Sequence, residues 1–291
     1  MSEAPIPLDA AWLRAHPLPV HDDVDKNERG RVLLIGGSAR VPGGVRLTTE
    51  AAFQSGAGKV QLAVPDMLAI PLGVLLPEAG IFALPTDEAG DIAGTGPVEP
   101  LLDSCDCLAI GPAMGSADAA GRILDAVLPR TDACSVILDA AAVAAGHDRM
   151  ALLRRMAGRL ILTPHAGEMA ALTGQDRDAV TKDRERMLVR LAGDLGAVVL
   201  LKGPTTMLAN PQGDIALYGG GGAGLATGGS GDVLTGIIAG LSARGLGPWE
   251  AACWGVWLHG EAGRRLSERH GPMGFLARQL PAETPSLMRG F

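Results

Sequence analysis

Aromatic residues are scarce in this chain of 291 residues: they make up 3%, with a single tyrosine, Tyr218. A surface that stacks on bases needs several such rings, so the scarcity argues against a nucleic-acid partner. Basic charge is short as well. Lys and Arg number 25 against 32 Asp and Glu, a net charge of −7, which leaves no basic field to hold a polyanion. A small phosphorylated ligand is still compatible, because backbone amides and one Lys can hold it locally. There is no run of about twenty apolar residues, so no helix is expected to span a membrane. The N-terminal segment, with Glu3, Pro5, Pro7 and Asp9, lacks the apolar core of a signal peptide. The four cysteines, Cys105, Cys107, Cys134 and Cys253, show neither paired zinc spacing nor the density of a disulfide scaffold. Reduced, mostly buried thiols in a cytoplasmic protein are the expectation.

What the chain does have is apolar content of 47%, which excludes a disordered polymer, and 41 glycines with 20 prolines, which imply tight connections. Short apolar strands are expected at 31–35, 59–64, 81–84, 107–110, 136–138, 160–162 and 198–201. Helical patterns at 44–55, 117–128, 150–157, 167–172 and 178–195 alternate with them. This rhythm predicts an α/β fold in three layers, a mainly parallel central sheet with helices on both faces. After Leu201 the pattern changes to an antiparallel hairpin over 205–217, turning at Asn210-Pro211-Gln212-Gly213, then helices at 231–243 and 249–266. No composition break divides the chain, so one domain over 1–291 is expected. Residues 1–25 read as an irregular extension with a short helix at 9–15.

The most chemically loaded stretch is Gly219-Gly220-Gly221-Gly222-Ala223-Gly224-Leu225-Ala226-Thr227-Gly228-Gly229-Ser230-Gly231-Asp232, which runs straight into an apolar helix. Glycines let backbone N–H groups surround an anion, and a helix start adds unpaired donors. Asp232, among those donors, suits a general base that takes a proton from a hydroxyl as it meets a phosphoryl group. A Gly-rich linker before an N-capped helix is the plainer alternative. Further small or polar clusters follow the expected strands: Gly36-Gly37-Ser38, Gly111 to Gly115, Asp139, Thr163-Pro164-His165 and Lys202 to Thr206. Together they outline a crevice at one sheet edge.

Taken in order, Lys26 to Ser38, Ser55 to Val60, Ile110 to Gly115, Leu162 to Glu168, Leu201 to Thr206 and Ala226 to Gly236 resemble the ADP/ATP-dependent NAD(P)H-hydrate dehydratases, a branch of the ribokinase-like fold. The resemblance covers nearly the whole chain. It implies a repair reaction in which the hydroxyl of hydrated NADH or NADPH is phosphorylated at the expense of ADP or ATP. Phosphate then leaves and the dihydronicotinamide returns. The resemblance makes Asp232 the catalytic base, and Gly44, Gly115, His165 and Asp232 the contacts to the hydrated dinucleotide. It assigns the nucleotide to Lys202, Gly203, Pro204, Thr205, Thr206 and Gly231. Glu168 takes the place of a carboxylate that organises Mg²⁺ through water in related kinases.

Read without the family, Lys202 is a solvated strand-end lysine, His165 an exposed turn or helix cap, and Glu168 a complement to a helix dipole. His16, His21, His147, His259 and His270 read as surface residues. Three positions depart from the family pattern: Ala141 stands where a second Asp is usual, Gly222 where Asn is common, and Gly44 where a relative has Ala. The resemblance further implies a homo-oligomer, often a tetramer, and reliance on a separate NAD(P)H-hydrate epimerase, since no epimerase domain is expected here. Two rival readings share the scaffold: a kinase for a small hydroxymethyl metabolite, and a catalytically silent nucleotide sensor.

Overall fold

Runs such as Arg31-Val32-Leu33-Leu34-Ile35 have no polar face, and they fold as strands covered on both sides. The computed structural model describes residues 4–20 and 25–291. Among the described residues it gathers one sheet from β1 (Ile6–Pro7), β2 (Arg31–Ile35), β3 (Lys59–Pro65), β4 (Gly80–Leu84) and β5 (Cys107–Ile110). The same sheet continues through β6 (Ser135–Leu138), β7 (Leu160–Leu162), β8 (Val198–Leu201), β9 (Thr206–Ala209) and β10 (Ile215–Tyr218). The spatial order is β1-β10-β9-β8-β7-β6-β5-β2-β3-β4. β9 runs antiparallel to β8 and β10, and every other neighbouring pair is parallel.

Alternation along each strand splits the core in two. Val32 and Leu34 of β2, with Cys107 and Ala109 of β5, face one cluster; Leu33, Ile35, Leu108 and Ile110 face the other. Helices Gly44–Gln54, Asp66–Leu75, Ser230–Ala243 and Pro248–His270 cover the first cluster. Helices Ala117–Val127, Ala140–Ala145, Ala166–Thr173 and Arg184–Leu195 cover the second. The expected three-layer α/β arrangement is therefore present. All four cysteines are free and buried. Among the described residues no helix is long and apolar enough to cross a membrane.

Helix Ser230–Ala243 is buried on all sides from Val233 onward. It can sit there because Gly236 and Gly240 bring its backbone onto helix Gly44–Gln54. A Cβ at Gly236 would lie 2.2 Å from the Thr48 carbonyl oxygen, and one at Gly240 2.4 Å from that of Ala52. This crossing fixes the two helix starts side by side.

The short helix expected at 9–15 is present as Ala10–Ala15, capped by Asp9 Oδ1, which accepts from Ala11 and Trp12 N–H at 2.9 Å. Two expectations need correction. The extension is not irregular throughout, because it supplies an edge strand, β1, whose Ile6 pairs with Ala216. A two-residue edge strand carries no periodicity and tolerates Pro7, so the sequence pattern is blind to it. Trp254 Nε1 donates to the His16 carbonyl at 2.7 Å and ties this segment to helix Pro248–His270. The single helix expected over 178–195 is two, Arg177–Lys182 and Arg184–Leu195, because Asp183 leaves helical space (φ −126°, ψ 49°). Aspartate competes for backbone donors and favours such breaks.

Candidate active site

Parallel strands deliver their carboxyl ends to one edge, and the polar clusters after β6, β7 and β8 meet there. Asp139, directly after β6, is 2% exposed. Its Oδ1 accepts from Lys202 Nζ at 2.9 Å and from the Thr163 hydroxyl at 2.7 Å. Lys202 follows β8, and its N–H donates to the Pro164 carbonyl, which carries the β7–β8 pairing one step beyond the strands. Glu168 Oε2 lies 3.6 Å from the same ammonium. Burial acts to lower the pKa of Lys202, but Asp139, Glu168 and Asp232 outweigh it and the net direction is upward.

Asp232 stands in the first turn of helix Ser230–Ala243. Burial pushes its carboxyl up to about 6, with Asp139 adding to the rise; Lys202 and a backbone hydrogen bond with Ala113 oppose it. The carboxylate is thus mostly ionised at neutral pH yet close enough to titration to accept a proton, the condition for a general base. The helix start beside it has no side-chain cap, and its N-cap Gly229 adopts φ 88°. Ser230 N–H donates to the Thr227 carbonyl at 3.2 Å, which leaves the next N–H groups, those of Gly231 and Asp232, for an anion. A Cβ on Gly231 would lie 3.4 Å from Lys202 Nζ, and both residues line one cleft.

The backbone around the carboxylates is held in unusual conformations. Ala113 (φ 55°) and Ala140 (φ 47°) occupy the left-handed region. Gly111 (φ 115°) brings the end of β5 so close to Asp139 that a Cβ would come within 1.9 Å of the Asp139 carbonyl oxygen. Such conformations cost about 1–3 kcal/mol each and persist where the surroundings over-determine them.

These groups border a cleft of about 1150 Å³. Of the residues expected from sequence, Asp232, Gly231, Lys202, Gly203, Pro204, Thr206, His165 and Glu168 all line it. Gly44 lies behind Asp232, where a Cβ would be 3.2 Å from Oδ2. Thr205 is exposed outside the wall, its carbonyl accepting from Arg184 Nη2 at 2.8 Å. Gly115 is also outside that cavity; it packs on the Asp91 carboxylate, 2.3 Å from where its Cβ would stand. His165 caps helix Ala166–Thr173: Nδ1 accepts from Gly167 and Glu168 N–H at 3.0 and 3.1 Å, and Glu168 Oε2 accepts from His165 N–H at 2.8 Å. The plainer cap reading of His165 thus holds, within the cleft wall.

Sequence reasoning missed several groups. His259, expected on the surface, lines the cleft and meets Ser230 Oγ through Nε2 at 2.9 Å. The only signal was its place among apolar neighbours, Trp257-Leu258-His259-Gly260, on a long helix. Asp139 and Arg184 had no assigned role, because their partners are 63 and 21 residues away. Tyr218 closes the apolar end of the cleft and donates its hydroxyl to Glu261 Oε1 at 2.9 Å. His16, stacked on Trp12, is half-buried, whereas His147 and His270 are exposed as expected. His21 lies outside the described residues.

Among the described residues no group of three or more His, Cys, Asp or Glu side chains could hold a metal. Asp139 and Glu168 both face the Lys202 ammonium instead. A carboxylate already paired with an ammonium is a poor direct metal ligand, so these residues do not by themselves form a metal site.

A family model described as NAD(P)H-hydrate dehydratase matches residues 32–286. An ADP-dependent (S)-NAD(P)H-hydrate dehydratase of Xanthomonas campestris is 42% identical over 283 residues, covering 97% of this chain and 95% of its own. A bifunctional NAD(P)H-hydrate repair enzyme of Moorella thermoacetica is 38% identical over 97% of this chain, which spans only 53% of that longer protein. The solved structure of an ADP/ATP-dependent NAD(P)H-hydrate dehydratase from Bacillus subtilis, co-crystallised with ATP/Mg²⁺, superposes with a TM-score of 0.79 at 29% identity, covering 98% of each chain. Carrying this cleft and matched along nearly all its length, the chain belongs to the NAD(P)H-hydrate dehydratase family.

Proposed function

We propose that this protein restores NADH or NADPH from the S-form of its hydrate, using ADP or ATP as phosphoryl donor. The observation that carries the reading is Asp232, a carboxyl raised to about 6, set beside uncapped helix amides and the Lys202 ammonium in one cleft. In this reading the ring hydroxyl loses its proton to Asp232 while its oxygen attacks the terminal phosphorus, and AMP leaves when ADP is the donor. The amides of the Gly231 turn and Lys202 stabilise the charge on the transferring phosphoryl group. The ring C–O bond then breaks, phosphate departs with the bonding pair, and the neighbouring carbon gives up a proton to the departing phosphate as the double bond forms. Gly203, Pro204 and Thr206 border the nucleotide, with Thr205 holding the loop through Arg184. Gly44 and His165 border the dinucleotide near Asp232, and Gly115 braces the loop behind it. Magnesium on the phosphates, with Glu168 nearby, would screen their charge.

A cytoplasmic site of action agrees with the four free thiols, and a separate epimerase would interconvert the hydrate forms. Self-association agrees with an apolar stripe on helix Asp66–Leu75, where Ile70 and Val74 are 79% and 77% exposed. The discriminating experiment measures products from hydrated NADH and ADP. One AMP and one free phosphate per NADH regained is expected. A stable phosphorylated product, with no NADH, would assign a small-molecule kinase instead.

A further inference from the structure

Ser230 opens helix Ser230–Ala243, and it is buried, at 7% exposure. A serine at a helix start ordinarily turns its hydroxyl to free backbone N–H groups nearby. Here no side chain caps the helix, and Ser230 Oγ is engaged by His259 Nε2 at 2.9 Å. The Ser230 amide is bonded to the Thr227 carbonyl, and the next two residues, Gly231 and Asp232, line the cleft together with Lys202. The competitor closest to hand for the amides of those two residues is the Ser230 hydroxyl itself.

His259 belongs to helix Pro248–His270 and borders the cleft. Burial lowers its pKa to about 4; a backbone hydrogen bond with Ser230 opposes this and Lys202 reinforces it. A neutral ring offers no charge to a phosphate, and the side-chain contact it makes here is the one to Ser230 Oγ.

We propose that His259 is a positioning residue for the nucleotide: by holding the Ser230 hydroxyl, it keeps the Gly231 and Asp232 amides open to the donor's terminal phosphate. The inference rests on the phosphoryl-transfer reading and deepens it. Without the imidazole, the hydroxyl rotates onto the amides of its own turn, and the phosphate must displace it.

The test is calorimetric titration with ADP and, separately, AMP, in the absence of hydrated dinucleotide. His259→Ala is expected to weaken ADP binding roughly tenfold while AMP, lacking the second phosphate, changes much less. Ser230→Ala/His259→Ala should regain most of the lost affinity, because the competing hydroxyl is gone. His259→Gln, whose amide reaches the place of Nε2, should bind ADP as the wild type does. Unchanged ADP affinity in His259→Ala, equal losses for ADP and AMP, or a double variant no better than His259→Ala would each overturn the inference. A wild type that binds no ADP would sink the phosphoryl-transfer reading with it, so the two failures are distinguishable.

Discussion

Asp232 draws its reactivity from burial and from two charged neighbours whose effects have opposite signs. Burial and Asp139 raise its pKa, whereas Lys202 lowers it. Asp139→Asn should therefore move the Asp232 titration below about 6, and Lys202→Met should move it above. Carboxyl-carbon NMR titration of the free protein reads both shifts, and two shifts of the same sign would refute the assignment. The same raised pKa carries a stability cost. Between the unfolded value of 3.8 and about 6 the folded state binds more protons than the unfolded one, so this group makes stability fall as pH rises through that window. Asp232→Asn removes the buried charge, and at pH 7.5 it should be more stable than wild type by about 1–3 kcal/mol. The gain should vanish as pH approaches 4. Thermal melts at several pH values check this, and a gain that grows on acidification would contradict it. At this scale Asp232 and Lys202 were legible in the sequence, because each follows a recognisable strand or glycine turn. Asp139 was placed at the crevice without a role and His259 was missed, since what makes them matter is a partner brought in by the fold from a distant segment.

Helices hold these residues in place through glycine contacts. Gly236 and Gly240 let helix Ser230–Ala243 touch the carbonyls of Thr48 and Ala52, and so seat Asp232 against Gly44. Helix propensity alone favours Gly236→Ala by up to about 1 kcal/mol. The contact at 2.2 Å is backbone and has no flexible end to yield, so net destabilisation of about 1–3 kcal/mol is expected, with kcat falling as Asp232 is displaced. Urea unfolding and steady-state kinetics test this; a variant more stable than wild type with full activity would refute the contact's role. The long helices and buried strands were readable because their hydrophobic periods run for several turns or residues. β1 and the break at Asp183 were not: one is too short to show a period, and the other is a one-residue backbone departure inside a continuous helical pattern. Helix Asp66–Leu75 escaped notice for a different reason, since an apolar stretch without a polar face has no amphipathic period to detect.

At the scale of the molecule, a net charge of −7 coexists with a substrate class that is itself anionic. Binding must then rely on local donors, which is what the Gly231 turn and Lys202 provide. The exposed stripe on helix Asp66–Leu75 bears on assembly: Ile70→Glu with Val74→Glu should shift an oligomer toward smaller species in light scattering, with little effect on the melting temperature. A wild type that is monomeric, or an unaltered mass in the variant, would refute a role of this stripe in self-association. The central claim is that one carboxylate, tuned by burial, takes the hydroxyl proton as phosphorus is transferred. Its most direct measurement is the pH dependence of kcat/KM for hydrated NADH with ADP, followed by the return of dihydronicotinamide absorbance. The account predicts a rate that climbs through pH of about 6 and then levels, and a loss of at least about 100-fold in Asp232→Asn with nucleotide binding retained. Turnover by Asp232→Asn within a few-fold of wild type, or a profile flat across that pH range, would contradict it.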